Sequence, residues 1–279
     1  MPIRALVLLG AALLLTPPVA SGQGQYRAPR TADGRPDLNG FWQAVNTAHW
    51  DLEDHAAAPG PVFELGGAYA VPPGRGVVQG GPIPYRPEAL AKKKVYAANA
   101  LKEDAEIKCY LPGVPRMMYM PYPVQIVQST SDVLMLSEFA TAQRTVYING
   151  KELAPADTWM GWSNGRWEGE TLVIDSTGFM GSTIRGMDEA GAIKVRFLDR
   201  AGNYHTDGLH VVERIRRTGP DHLLYEATIE DPNVYTRPWT ISMPLYRRIE
   251  PNMELGEYKC EEFAGDLIFN PYAKEPVAR

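Results

Sequence analysis

Residues 209–230 read LHVVERIRRTGPDHLLYEATIE and contain two segments of alternating apolar and polar side chains. One face of the first segment carries Leu209, Val211, Glu213 and Ile215. Thr218 to Asp221 separate the segments and include Gly and Pro. Because successive side chains of a strand point to opposite faces, this stretch predicts a β-hairpin with one buried face.

Segments of similar character lie on both sides of the hairpin. They cover residues 41–45, 124–128, 133–139, 143–148, 165–167, 171–175, 237–246 and 255–260. Their separators carry Gly, Pro, Asn and Asp, which favour tight turns. We therefore expect a mainly β, antiparallel fold over residues 105–279, either a lipocalin-like or similar barrel or a sandwich. A barrel of ~8 strands can hold one small ligand.

The preceding residues divide into two regions. Residues 1–22 combine Arg4, an apolar stretch from 5 to 15 and the small residues Ala20-Ser21-Gly22, the pattern of a secretory signal peptide. Since a membrane span needs ~20 apolar residues, the mature chain is expected to be secreted, in a bacterial periplasm, without a membrane span. Residues 23–104 predict a short strand, an irregular Gly/Pro-rich arm at 59–87 and one flanking helix from Pro87 to about Asp104. The role of the arm, including docking of a partner chain, and the oligomeric state stay open.

Charge and missing motifs exclude several functions. The 279 residues carry 28 Lys+Arg against 33 Asp+Glu, so there is no basic field to attract nucleic acid. The sequence lacks the motifs H-E-x-x-H and G-x-G-x-x-G and the Walker loop, and it lacks a nucleophile elbow, since its single G-x-S-x-G, GWSNG at 161–165, does not open a predicted helix. These absences disfavour α/β-hydrolases, zinc proteases, dinucleotide enzymes and kinases.

Two cysteines, Cys109 and Cys260, lie far apart in the sequence. In an oxidising compartment such a pair predicts a disulfide, whereas two scattered thiols make a poor metal site.

Several phrases resemble a known family. They are PDLNGFW (36–42), KCYLPGVPR (108–116), MPYPVQIVQ (120–128), GRWEGETLVIDSTGF (165–179), LHVVERIRR (209–217) and TIEDPNVYTRPW (228–239). They are similar to phrases of a large family of secreted bacterial proteins of unassigned function. The resemblance implies secretion and a common fold, and it assigns no catalytic residue.

Three charged residues share a predicted strand face with apolar residues. Glu213 follows Leu209 and Val211, Glu138 follows Leu134 and Leu136, and Arg144 precedes Val146 and Ile148. A charge in an apolar interior must be paired or change its pKa, so these residues are candidates for a polar cluster in a ligand cavity. A structural ion pair, or a bulge that returns Glu213 to water, is the alternative.

The string His205-Thr-Asp207-Gly-Leu-His210 concentrates imidazoles and a carboxylate. Such residues act as an oriented general base or bind a transition metal, so a divalent metal is possible although no cofactor is predicted. The alternative is a loop that ends in a strand, with solvated or hydrogen-bonded imidazoles.

Aromatic and Arg side chains in loops beside Pro and Gly form a further group of candidates. Those expected to line a pocket mouth and to stack on a flat substrate are Tyr110, Arg116, Tyr122, Trp159, Trp162 and Tyr235. They can equally plug a barrel end.

These patterns together favour a secreted enzyme that acts on a small hydrophobic or aromatic metabolite by acid/base chemistry of the lyase or isomerase type, inside the barrel. The alternatives are a periplasmic small-molecule-binding protein without catalysis and a metal-dependent enzyme that uses His205, Asp207 and His210.

Overall fold

A closed β-barrel dominates the computed structural model, which describes residues 26–60, 70–100, 104–107, 109–181 and 196–258. The predicted mainly β, barrel-like fold is therefore confirmed. In chain order the strands are β1 (Gly40–Ala44), β2 (Val124–Gln128), β3 (Asp132–Ser137), β4 (Gln143–Ile148), β5 (Trp162–Glu168), β6 (Thr171–Thr177), β7 (Arg196–Phe197), β8 (Tyr204–His205), β9 (His210–Gly219), β10 (His222–Glu230) and β11 (Trp239–Arg247). Around the barrel the order is β1-β11-β10-β9-β6-β5-β4-β3-β2, while β7 and β8 form a separate pair.

The barrel is mixed rather than wholly antiparallel. Strands β4 and β5 are parallel, with Val146 opposite Ser163, and the other neighbours in the barrel are antiparallel. Two parallel strands need a crossover connection, and residues 149–161 are long enough to make one. Since turn residues alone do not reveal such a crossover, the sequence predicted antiparallel strands throughout.

Buried side chains fill the interior of the barrel. The quoted hairpin forms β9 and β10, with Ala227 opposite Glu213. The inward residues of β10 are all 0% exposed; they are Leu223, Tyr225, Ala227 and Ile229. Trp42 of β1 is equally buried, and its indole N–H donates a hydrogen bond of 2.9 Å to the Leu38 carbonyl. These fully buried side chains face the interior in which a ligand cavity was expected.

Helix α1 (Pro87–Ala98) packs against β7 and β8, which lie outside the barrel sheet. Proline at the first helical position and Glu88 in the first turn suit a helix start, and Asn99 caps the end of α1. Residue 100 is again helical, and residues 101–103 of the predicted helix lie outside the described residues. The backbone at Gly202, between β7 and β8, lies so close to the backbone of α1 that a Cβ on Gly202 would be only 2.7 Å from the Ala97 nitrogen. Tyr204 also packs its ring edge-to-face on Tyr96, at 4.8 Å between centroids.

Parts of the Gly/Pro-rich arm pair with the rest of the protein. Isolated bridges join His55 to Gly74 and Ala58 to Val71 within the arm and its flank, and Val78 and Tyr85 to the β10–β11 region. The described helix is too short to cross a membrane.

Three sequence predictions reach beyond the described residues. The signal peptide at 1–22 lies outside them, and so does Cys260. No described cysteine is a free thiol, so Cys109 is consistent with the expected disulfide, but the pairing stays a prediction. The strand expected at 255–260 is not formed at 255–258, and its last two residues lie outside the described part.

Candidate functional site

Glu213 and Arg144 form a buried ion pair inside the barrel. Their side chains are 0% and 2% exposed, and the guanidinium binds both carboxylate oxygens, at 2.7 and 2.8 Å. The Tyr225 hydroxyl donates a third hydrogen bond to Glu213, at 2.8 Å. Strand alternation correctly placed both residues inward. Because both carboxylate oxygens already accept hydrogen bonds, the arrangement is that of the structural ion pair left open as the alternative.

The predicted inward position of Glu138 is wrong. Val133, Met135 and Ser137 are the buried residues of β3, so Leu134 and Leu136 point outward. Glu138 follows the end of the strand in a short 3-10 turn, where its carboxylate accepts a hydrogen bond of 2.9 Å from the Gly256 N–H. The face of β3 that carries Leu134 and Leu136 is therefore the outer one, and Glu138 is separate from the ion pair.

His205, Asp207 and His210 have different surroundings. His205 is 2% exposed, and burial lowers its pKa to about 4, so the ring is neutral at pH 7. Asp207 is exposed. His210 lies on the outer face of β9, with its ring nitrogens 3.1 Å from Asp175 and 3.4 Å from Glu230. No three His, Cys, Asp or Glu side chains in the described ranges form a group suited to a metal ion, so the three candidate ligands are not brought together there.

The aromatic and Arg candidates also fall into separate places. Arg116 is 1% exposed between Asp104 and Glu106, and Tyr235 is 2% exposed with its hydroxyl donating to the Tyr204 carbonyl at 2.6 Å. Neither lies at a pocket mouth, because both side chains are used in the core.

The remaining candidates are paired with other rings. Tyr122 packs near Phe139, at 5.3 Å between centroids, and Trp162 stacks on Tyr147 at 4.6 Å. Tyr110 and Trp159 contact each other edge-to-face at 5.0 Å.

A cavity of about 510 Å³ lies outside the barrel, between the segment at 50–59 and the end of α1. Most of its lining is apolar, and includes Trp50, Ala58, Pro59, Val71, Ala97 and Ile107. Its polar lining consists of Asp51, His55, Asp104 and Arg200. A concave apolar space with a few polar groups is the usual form of a small-molecule site.

His55 lines this cavity, and one of its two ring nitrogens is unpaired. Its Nδ1 lies 2.9 Å from the Glu53 carbonyl oxygen, which can only accept, so Nδ1 carries the hydrogen of the neutral ring. Nε2 then has a free lone pair, and it is buried without a hydrogen-bond partner among the described residues. The ring position depends on Gly74, since a Cβ there would lie 2.8 Å from the His55 Cε1.

Asp51 is linked to a second, fully buried carboxylate. Asp199 is 0% exposed and accepts hydrogen bonds from the Leu52 N–H at 2.9 Å and from the backbone and side chain of Asn203. The Asn203 amide also lies 3.3 Å from Asp51. Burial, together with the charge of Asp51, raises the pKa of Asp199 to about 7, and burial likewise raises the pKa of Asp51. The linked carboxyls therefore retain a proton close to neutral pH.

Arg200, which lines the cavity, belongs to a charged cluster that extends behind the cavity wall. Glu106 accepts hydrogen bonds from both Arg116 and Arg200, and the Arg200 guanidinium lies 4.2 Å above the Trp50 ring. Opposite charges and the π-stack fix these side chains.

Sequence reasoning missed this cavity because its polar residues lie in irregular segments. A signal existed in WDLEDH at 50–55, which places an aromatic ring, carboxylates and an imidazole close together. No model of a known protein family matches the chain, and no match was found among curated proteins.

Proposed function

We propose that the protein binds a small hydrophobic or aromatic molecule in the cavity beside Trp50 and catalyses proton transfer on it, as lyases and isomerases do. The observation that carries this proposal is the buried His55 Nε2, which has a lone pair and no partner among the described residues. The proposed reaction is the acid/base chemistry expected from the sequence, but the proposed site is this cavity and not the barrel interior.

The lining supports the ligand class. A volume of about 510 Å³ suits a small metabolite, and the walls offer an indole ring and several alanines. A flat molecule that enters beside Trp50 gains apolar contact, while His55 and Asp51 supply the polar contacts.

The two titratable groups have complementary roles in this proposal. Nε2 of His55 removes a proton from a C–H or O–H group of the ligand and becomes an imidazolium. Asp51, whose pKa is raised by burial and which is linked through Asn203 to Asp199, donates a proton to another atom of the ligand. Solvent exchange then restores the starting protonation of both groups, so protons balance over the cycle.

Export belongs to the same proposal. The signal-peptide pattern of residues 1–22 supports secretion into a bacterial periplasm, where Cys109 and Cys260 are expected to be joined. No nucleic acid, cofactor or partner chain enters the proposal. A metal site at His205, Asp207 and His210 does not enter the proposal, because His205 is buried, Asp207 is exposed and His210 lies on the outer face of β9.

The proposal is tested with His55→Asn. The Asn amide N–H can still donate to the Glu53 carbonyl, while the Nε2 base is removed. The matched control is His222→Asn, at an exposed position of the β9–β10 hairpin. The probe is 2-indanone, a neutral, flat aromatic ketone with acidic C–H groups, and NMR in deuterium oxide measures both its binding and the exchange of those hydrogens.

We expect the wild-type protein and His222→Asn to bind 2-indanone and to accelerate its exchange. His55→Asn should bind it and lose most of the acceleration, by about a hundredfold for removal of a general base. Binding with equal exchange in all three proteins would replace catalysis by the alternative of a small-molecule-binding protein. No binding by the wild-type protein would overturn the assignment of the cavity.

A further inference from the structure

We propose that Arg196 is the centre of a second site, which binds the carboxylate of a small aromatic acid beside Trp159 and Tyr110. This site uses none of the residues that line the His55 cavity, and it does not depend on the proposed function.

The geometry begins with a stack of three side chains. Arg196 is 7% exposed, and its guanidinium carbon lies 3.5 Å from the centroid of the Trp159 ring. Trp159 in turn meets Tyr110 edge-to-face, at 5.0 Å and 67°. One face of the guanidinium is therefore covered, and its edges are left for hydrogen bonding.

One complete edge of this guanidinium has no partner. Nε and Nη2 of Arg196 are both buried, and no hydrogen-bond acceptor for either exists among the described residues. These two nitrogens lie on the same side of the planar group and present parallel N–H bonds. That pair of donors matches the two oxygens of a carboxylate.

The other buried arginines show how this protein normally satisfies such a group. Arg116 binds the carboxylates of Asp104 and Glu106, and Arg144 binds Glu213. Arg217 donates hydrogen bonds to three backbone carbonyls. Among the buried arginines of the described ranges, Arg196 alone has neither a carboxylate nor a backbone carbonyl as its hydrogen-bond partner. An unpaired buried charge is costly. Burial lowers the pKa of Arg196 to about 10, which still leaves the group positively charged at pH 7.

The surroundings favour an aromatic acid over a bare anion. Tyr110 is 39% exposed, so the stack reaches the protein surface on that side. A ligand whose carboxylate meets the Nε and Nη2 edge can rest its ring against these aromatic side chains. Tyr110 and Trp159 were expected from the sequence to contact a flat ligand, and Arg196 supplies the charge that the sequence reasoning did not include.

Benzoate is the probe for this site, and isothermal titration calorimetry measures its binding to the full chain. We expect saturable binding to the wild-type protein, no binding of the neutral analogue benzamide, and binding weakened about tenfold or more in Arg196→Lys, which keeps the charge but loses the planar fork. The matched control is Arg166→Lys, an exposed arginine on β5. His55→Asn should bind benzoate as the wild-type protein does, so failure of this proposal is distinguishable from failure of the proposed function.

A second measurement covers the case in which Arg196→Lys does not fold. In the wild-type protein, the Arg196 Nε–H signal in a nitrogen-15 NMR spectrum should shift on addition of benzoate and stay unchanged with benzamide. Equal binding of benzoate and benzamide, equal binding by the wild-type protein and folded Arg196→Lys, or an unmoved Nε–H signal would each overturn the carboxylate site.

Discussion

Replacing Asp199 by Asn should change how the stability of the protein depends on pH. Asp199 is 0% exposed behind the cavity wall, and burial together with Asp51 raises its pKa from an ordinary 3.8 to about 7. Between those two values the folded protein holds a proton that the unfolded chain releases. The stability contributed by this group is therefore complete below about pH 4 and is lost as the pH rises through about 7.

The size of the effect follows from the two pKa values. A rise from 3.8 to about 7 corresponds to about 4 kcal/mol, at about 1.4 kcal/mol for each pKa unit. Asn does not ionise, so the stability of the variant does not fall in this way as the pH rises. We expect the free energy of unfolding of Asp199→Asn, relative to the wild-type value, to rise by up to about 4 kcal/mol between pH 4 and pH 8.

Urea unfolding followed by circular dichroism, at intervals from about pH 4 to about pH 8, measures this difference. His49 and His205, whose pKa values burial lowers to about 4, act in the opposite direction, because they destabilise the fold as the pH falls. They are present in both proteins, so their effect cancels. Asp157→Asn, at an exposed position, is the matched control. A difference between Asp199→Asn and wild type that does not change with pH would refute the reasoning.

Further predictions concern the barrel and the cysteines. Glu213→Gln should lower the free energy of unfolding by about 3–5 kcal/mol, measured by urea unfolding, because Arg144 loses its buried counter-charge. Since burial lowers the pKa of His205 from 6.5 to about 4, this residue should cost the wild-type protein about 3 kcal/mol as the pH falls across that interval; His205→Asn should be less sensitive to acid in the same assay. Protein exported to a periplasm should have a mass two hydrogen atoms below that of the reduced chain, with Cys109 and Cys260 both resistant to alkylation.

Each of these has a control and a contrary outcome. Glu226→Gln, on the outer face of β10 opposite Arg214, should change stability little, and an equal loss at Glu213 and Glu226 would contradict the buried-pair reasoning. If the free energy of unfolding of His205→Asn falls with decreasing pH as much as that of the wild-type protein, the lowered pKa of His205 is contradicted. Alkylation of two thiols in native protein would disprove the disulfide.

The barrel strands were predictable because each one carries its own signal. Alternation over residues 209–230 defined β9 and β10, and the same rule placed Glu213 and Arg144 inside. It failed at Glu138, because the face of β3 that carries Leu134 and Leu136 is the outer one and the strand ends at Ser137, two residues before the predicted end. Alternation describes a single strand, and it contains no information about parallel neighbours such as β4 and β5.

The cavity was not predictable by such local rules. Its carboxylate network depends on contacts between distant parts of the chain, such as the hydrogen bond from the Leu52 N–H to Asp199, which are 147 residues apart. The residues involved lie in turns, where no periodic pattern exists. The sequence reveals that Asp51 and His55 are close to each other, but only the fold brings Asp199 and Arg200 beside them.

Strand β1 has consequences for the order in which the chain folds during synthesis. One edge of β1 pairs with β2, as at Trp42 and Val124, and the other pairs with β11, as at Trp42 and Arg247. A ribosome produces β1 first and β11 last among the barrel strands, so one edge of β1 has no partner until nearly the whole chain has emerged. Closing such a long loop delays folding. A nascent chain that stalls before residue 239 would therefore expose the edges of β1 and β10 together, and these edges are open to pairing with a neighbouring chain.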